Sequence, residues 1–130
     1  MAGISAGAIC WFEDGLTDSF GMPYRALNDG LGFVRGACCP HYDGEKERRP
    51  ALLRLIKHRF PSTLALDDGA AAHFVGMRLA EAVSSRPEAR VYRARLVAGT
   101  VVQTPIPTRY LGKIVNGLTA SARGLTRAAK

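Results

Sequence analysis

Between Glu45 and Phe60 the apolar residues Ala51, Leu52, Leu55 and Ile56 recur at helical spacing, while Lys46, Arg48, Arg49, Arg54 and Lys57 are available to the wet faces. That pattern predicts an amphipathic helix. Before it, Gly3 to Gly7 followed by Ala8, Ile9, Cys10, Trp11 and Phe12 reads as a turn opening a short, largely buried helix that ends near Asp14-Gly15. Leu16 to Asp29 carries loop signals, and Leu31, Phe33 and Val34 suggest a short strand running toward Cys39-Pro40-His41. After the central helix, Thr63 to Leu66 predicts a brief strand ending at Asp67-Asp68-Gly69. Ala70 to Val75, Leu79 to Ser84 and Val91 to Val102 predict further strands, separated by Gly76 and by Arg86-Pro87. Beyond Pro107, Leu111, Ile114, Val115, Leu118 and Leu125 fall on one side of a terminal helix, which Gly112, Gly117 and Gly124 each weaken by about 1 kcal/mol. The fold class is α/β, with an α/β opening and a β-rich end.

Composition adds scale to this pattern. A chain of 130 residues, 47% hydrophobic, forms one domain that buries roughly two thirds of its unfolded surface. Its 14 glycines and 7 prolines are scattered and nothing repeats, so neither a linker nor a solenoid is indicated. The apolar opening MAGISAGAICWF has no basic segment before it and meets Glu13 and Asp14 too soon to act as a signal peptide or membrane anchor. Cys10, Cys38 and Cys39 lack the spacing of a zinc or dithiol site, so they are expected to be packing residues of a cytoplasmic protein, and no metal or organic cofactor is implied.

Charge is unevenly placed. Residues 1 to 88 carry 10 Lys/Arg against 11 Asp/Glu, a net of −1, and residues 89 to 130 carry 8 against none, a net of +8. Only Tyr92 and Tyr110 interleave those cations, which favours a solvated basic surface, continued in a basic helical tail over 113–130, above a nucleic-acid site.

The chemistry concentrates near the start. Gly3-Ile4-Ser5-Ala6-Gly7 is a GxSxG sequence, whose small residues let a tight turn expose a serine hydroxyl at a helix start rich in backbone donors. Chance gives such a pentapeptide roughly once in fifteen chains of this composition, so the motif needs partners. A serine needs a base. His58 sits between Lys57 and Arg59 on the helix, and His73 lies inside an apolar strand, whereas His41 follows Pro40 just past a strand end, where α/β folds gather their sites. An acid must then hold the base, and Asp18, Asp43, Asp67 and Asp68 are the candidates. Asp67 or Asp68 gives the chain order Ser, His, Asp; an ordinary α/β-hydrolase runs Ser, Asp, His, an order not met unless Asp18 is the orienting acid.

The strings AGISAGAICWFEDGLTDSFG, CPHYDGEKERRPALLRLI, ALDDGAAAHFVGMRLAEAVSSRPEARVYR and TPIPTRYLG, in this order and spacing, resemble those of peptidase E-type proteins over residues 2 to 112. The resemblance implies a class I glutamine amidotransferase-like α/β/α sandwich and cleavage of small peptides after an amino-terminal aspartate. It implies Ser5 as nucleophile, His41 as base and Asp68, placed before Gly69 where some members carry glutamate, as acid. It further implies Ala6 as an oxyanion donor and Arg49 and Asp18 as substrate contacts. Family members carry several strands and helices before the nucleophile, including the strand leading into it, whereas only Met1 to Ile4 precede Ser5 here. The amino-terminal part of the sandwich is therefore expected to be missing, and the chain to be an impaired peptidase that covers its open faces by forming a homo-oligomer. The rival expectation is a non-catalytic binding or self-associating remnant.

Overall fold

The computed structural model describes residues 1–112 and, beyond them, the backbone of Ile114–Val115 and Leu118–Thr119. Elements run α1 (Ala6–Ile9), β1 (Phe12–Thr17), β2 (Arg25–Leu27), β3 (Val34–Cys39), α2 (Arg48–Lys57) and β4 (Thr63–Leu66). Next come β5 (Ala70–Val75), β6 (Arg78–Ser84), β7 (Val91–Val97), β8 (Thr100–Ile106), β9 (Thr108–Tyr110), β10 (Ile114–Val115) and β11 (Leu118–Thr119). A mixed six-stranded sheet has the order β2-β1-β3-β4-β7-β8, and a second sheet has the order β5-β6-β9. The central strands β1, β3 and β4 are parallel, and α2 is the crossover between β3 and β4.

Alternation along the strands builds two cores. On one face of the six-stranded sheet, Leu52 and Ile56 of α2 pack with Leu16, Cys39, Ala65 and Ala94. On the other, Cys38, Leu64 and Val91 pack with Ile9 of α1 and Ala82 of β6. Phe12 joins this second core although it has the same parity as Leu16, because the pairing of β1 with β3 slips between Phe12 and Asp14.

Several expectations change, and the stretch Leu16 to Asp29, expected as loop, holds the end of β1 and all of β2. The first helix, expected to reach Asp14-Gly15, stops at Ile9, and Phe12–Thr17 is a strand: its backbone pairs with both β2 and β3, and that pairing outweighs the small-residue helix signal before it. The single strand expected over Val91 to Val102 is a hairpin, turning at Ala98 and Gly99, both at positive φ (47° and 80°), as a tight two-residue loop requires. In the terminal segment Ile114–Val115 pairs antiparallel with Leu118–Thr119, so these four residues do not form the helix expected there, in keeping with the β-branched Ile114 and Val115. The remainder of the basic tail over 113–130 lies outside the described residues.

Candidate functional site

The site stands beyond the carboxyl ends of the parallel strands β3 and β4, where the chain leaves each strand with a polar residue in hand. Ser5 precedes α1 at φ 53°, ψ −123°, a backbone conformation that L residues rarely adopt and that costs about 1–3 kcal/mol. Gly3 makes the turn feasible: a Cβ there would lie 1.8 Å from the Gly7 carbonyl oxygen, whereas a Cβ on Gly7 would meet nothing within 4 Å. Only one of the two motif glycines is therefore demanded by space. A serine at a helix start ordinarily spends its hydroxyl as a cap. Ser5 makes no such bond, and its Oγ lies 3.0 Å from Nε2 of His41.

His41, two residues past β3 and also at positive φ (56°), has its Nδ1 2.6 Å from Oδ1 of Asp68. With Nδ1 as donor to the carboxylate, Nε2 is free to accept the Ser5 hydroxyl proton. Asp67 points elsewhere. It is 8% exposed, its Oδ2 accepts the Arg90 backbone N–H at 2.9 Å, and burial pushes its carboxyl above the ordinary range. Of the four sequence candidates for the acid, Asp68 alone is bonded to His41.

Two loops carry the base and the acid, and they are joined. The Tyr42 N–H donates to the Leu66 carbonyl at 2.9 Å, and the Asp68 N–H donates to Oδ1 of Asp43 at 2.7 Å. Oδ2 of Asp43 accepts from the Arg86 guanidinium at 2.7 Å. Burial opposes the charge on Asp43, but the Asp68 N–H and Arg86 outweigh it and hold the carboxyl below its ordinary value. At Gly44, a Cβ would lie 1.9 Å from Oδ2 of Asp68, so the triad carboxylate rests against bare backbone.

The remaining sequence-singled residues make other contacts. Arg49 donates to Oε1 of Gln103 at 3.0 Å and its guanidinium lies over Tyr42 and Tyr92. Asp18 is exposed and 3.6 Å from Arg48. Arg48, expected on a wet face, is 2% exposed. It donates to Glu45 at 2.7 Å, lies over the Tyr24 ring, and reaches the Leu16 carbonyl at 3.4 Å. His58 ends α2, and His73 is exposed beside Glu81. Burial raises the thiols of Cys38 and Cys39, the latter to about 12, so neither is a thiolate nucleophile at neutral pH.

Ser5, His41 and Asp68 open onto a hollow of about 870 Å³ between α1, the six-stranded sheet and β5–β6, with Ile4, Trp11, Phe33 and Leu66 on its walls. Neither Arg49 nor Asp18 lines it. Among the described residues no cluster of His, Cys, Asp and Glu could hold a metal ion, and no helix is long and apolar enough to cross a membrane.

A hydroxyl not spent on a cap, an imidazole that can take its proton and a carboxylate that fixes the imidazole's tautomer are the parts needed for acyl transfer. Residues 1–82 match the family described as Peptidase family S51. Over 113 residues the chain is 53% identical to a Bacillus subtilis (strain 168) protein whose name is uncharacterized peptidase YgaJ, a match covering 86% of this chain and 48% of that one. The chain thus spans about half the length of the curated relative it matches. No solved structure matches it.

Proposed function

The chain belongs to peptidase family S51, and from that premise we propose that it is a serine peptidase in which Ser5, His41 and Asp68 are nucleophile, base and acid. The observation that carries the reading is the bonded series from Ser5 Oγ to His41 (3.0 Å) to Asp68 (2.6 Å), assembled from three separate loops. In the proposed reaction Oγ forms a bond to the scissile carbonyl carbon as its proton passes to Nε2 of His41. The proton then goes to the departing amine, and water repeats the sequence to release the acid. The Ala6 N–H, first in α1, is the assigned oxyanion donor. One such donor is typically worth about 10² to 10³ in turnover.

The substrates we assign are small peptides with an amino-terminal aspartate, with Arg49 as the cation for the side-chain carboxylate and Asp18 as a second contact. Support comes from the resemblance, and a guanidinium fork suits a carboxylate, although Arg49 is bonded to Gln103 and does not line the hollow. The fold we assign is the carboxyl-terminal part of a class I glutamine amidotransferase-like sandwich, and the free cysteines suit a cytoplasmic setting. A second reading, a non-catalytic self-associating module, draws on the apolar rim of the hollow, where Ile4 is 85% and Phe33 51% exposed. Hydrolysis of an aspartyl anilide beside its alanyl analogue tests the assignment: a small aspartyl-selective rate lost in Ser5→Ala is expected, and equal rates on both would overturn the substrate class.

A further inference from the structure

We infer that Asp43 and Arg86 are positioning residues that hold the acid Asp68 in line with His41, an inference that rests on the triad reading above. The backbone on either side of Asp68 is tied to Arg90 and Ser85, but among the described residues its side chain has no hydrogen-bond partner besides His41. That side chain is 41% exposed, in the short turn from β4 to β5 that the Ala70 N–H closes onto the Asp67 carbonyl at 3.0 Å, and Gly69 beyond it stands at positive φ (79°). A carboxylate so placed has several solvated rotamers to choose from, and only one meets Nδ1 at 2.6 Å.

Three features remove the others. The Asp43 carboxylate takes the Asp68 backbone N–H at 2.7 Å, which fixes where the Asp68 Cα sits relative to the loop of His41, only two residues from Asp43. Arg86 reaches from the loop between β6 and β7 past Gly69, where a Cβ would lie 3.2 Å from its side-chain carbons, and its guanidinium holds the other oxygen of Asp43 at 2.7 Å. Gly44 then presents bare backbone to the Asp68 carboxylate. A half-exposed ion pair between Asp43 and Arg86 contributes little to stability. It connects the loop of the base, the loop of the acid and the β6–β7 loop at the point where alignment matters.

The test uses the whole chain and two readouts, the far-downfield Nδ1 proton resonance of His41 and the rate of acylation of Ser5 by a fluorophosphonate. Asp43→Ala should remove the resonance and slow acylation by about 10- to 100-fold, the range seen for the outer partners that orient metal ligands. Asp43→Asn keeps an acceptor for the Asp68 N–H and should restore the resonance and most of the rate, which a generic loss of loop stability would not do. If Asp43→Ala fails to fold, Arg86→Ala carries the test, with a weakened resonance and a slower rate expected. Resonance and rate unchanged in Asp43→Ala, or in Arg86→Ala where that variant stands in, would overturn the inference. So would an Asp43→Asn protein as impaired as Asp43→Ala. A wild-type chain with the resonance but an unreactive Ser5 would count against the triad reading, and the resonance would still decide the role of Asp43.

Discussion

Asp67 and Asp68 are adjacent carboxylates, yet the structure gives them opposite tasks. Asp68 faces His41, and Asp67 turns inward to accept the Arg90 N–H. Asp68→Asn should therefore cost orders of magnitude in acylation rate, because an amide cannot hold the donor tautomer as a carboxylate does. Asp67→Asn keeps an acceptor for Arg90 and removes a buried charge, so it should leave the rate nearly intact and raise stability at neutral pH; the reverse ranking of the two variants in a kinetic comparison would move the assignment. Asp43 predicts a pH effect of definite sign. Its carboxyl is held below its ordinary 3.8, so the ionised form favours the folded chain above that value, and the contribution is lost as pH falls through the depressed folded value. Urea midpoints measured from pH 5 downward should fall less steeply for Asp43→Asn than for the wild type. Of these residues, Ser5 and His41 are legible in the sequence through a motif and a strand end. Asp43 and Arg86 are not, because their importance lies in a contact across 43 positions of chain that no local pattern encodes.

At the level of elements, α2 and β4 to β6 match expectation to within a few residues because each has a periodicity that its packing uses. Leu52 and Ile56 fall on the buried stripe, and β4 pairs on both sides. The first helix does not match, because the conformation after Ile9 is decided by partners distant in sequence: β1 is a strand only where β2 and β3 meet it. The turn into α1 is the most exacting element. Gly3→Ala would drive a Cβ into the Gly7 carbonyl, so the loop must shift and take Ser5 with it. We expect Gly3→Ala to abolish acylation while the melting transition of the remainder persists, and Gly7→Ala, which meets open space, to retain it. Equal effects of the two on labelling by fluorophosphonate would show that the elbow is not built as described.

Across the whole molecule, the two faces of the six-stranded sheet differ. One is covered by α2, and the other packs against α1 and β5–β6 and keeps a hollow beside Ser5, with apolar residues at its rim. Apolar surface of this kind favours association, so light scattering over a dilution series should report a mass above the 14.0 kDa of one chain, falling as the chain is diluted. A strict monomer at all concentrations would remove the homo-oligomer from the account. The α/β class could be read from the alternation of helical and strand periods. The hollow could not be read from local pattern, because its walls come from α1, the six-stranded sheet and β5–β6, segments far apart in sequence. The central claim is that the backbone at Ser5 and the bonds to His41 and Asp68 make one serine nucleophilic. Intact-mass analysis after fluorophosphonate treatment tests it most directly: a single adduct mapping to Ser5 and absent from Ser5→Ala is the result predicted, and no adduct, or an adduct on Ser84 or Ser85, would contradict it.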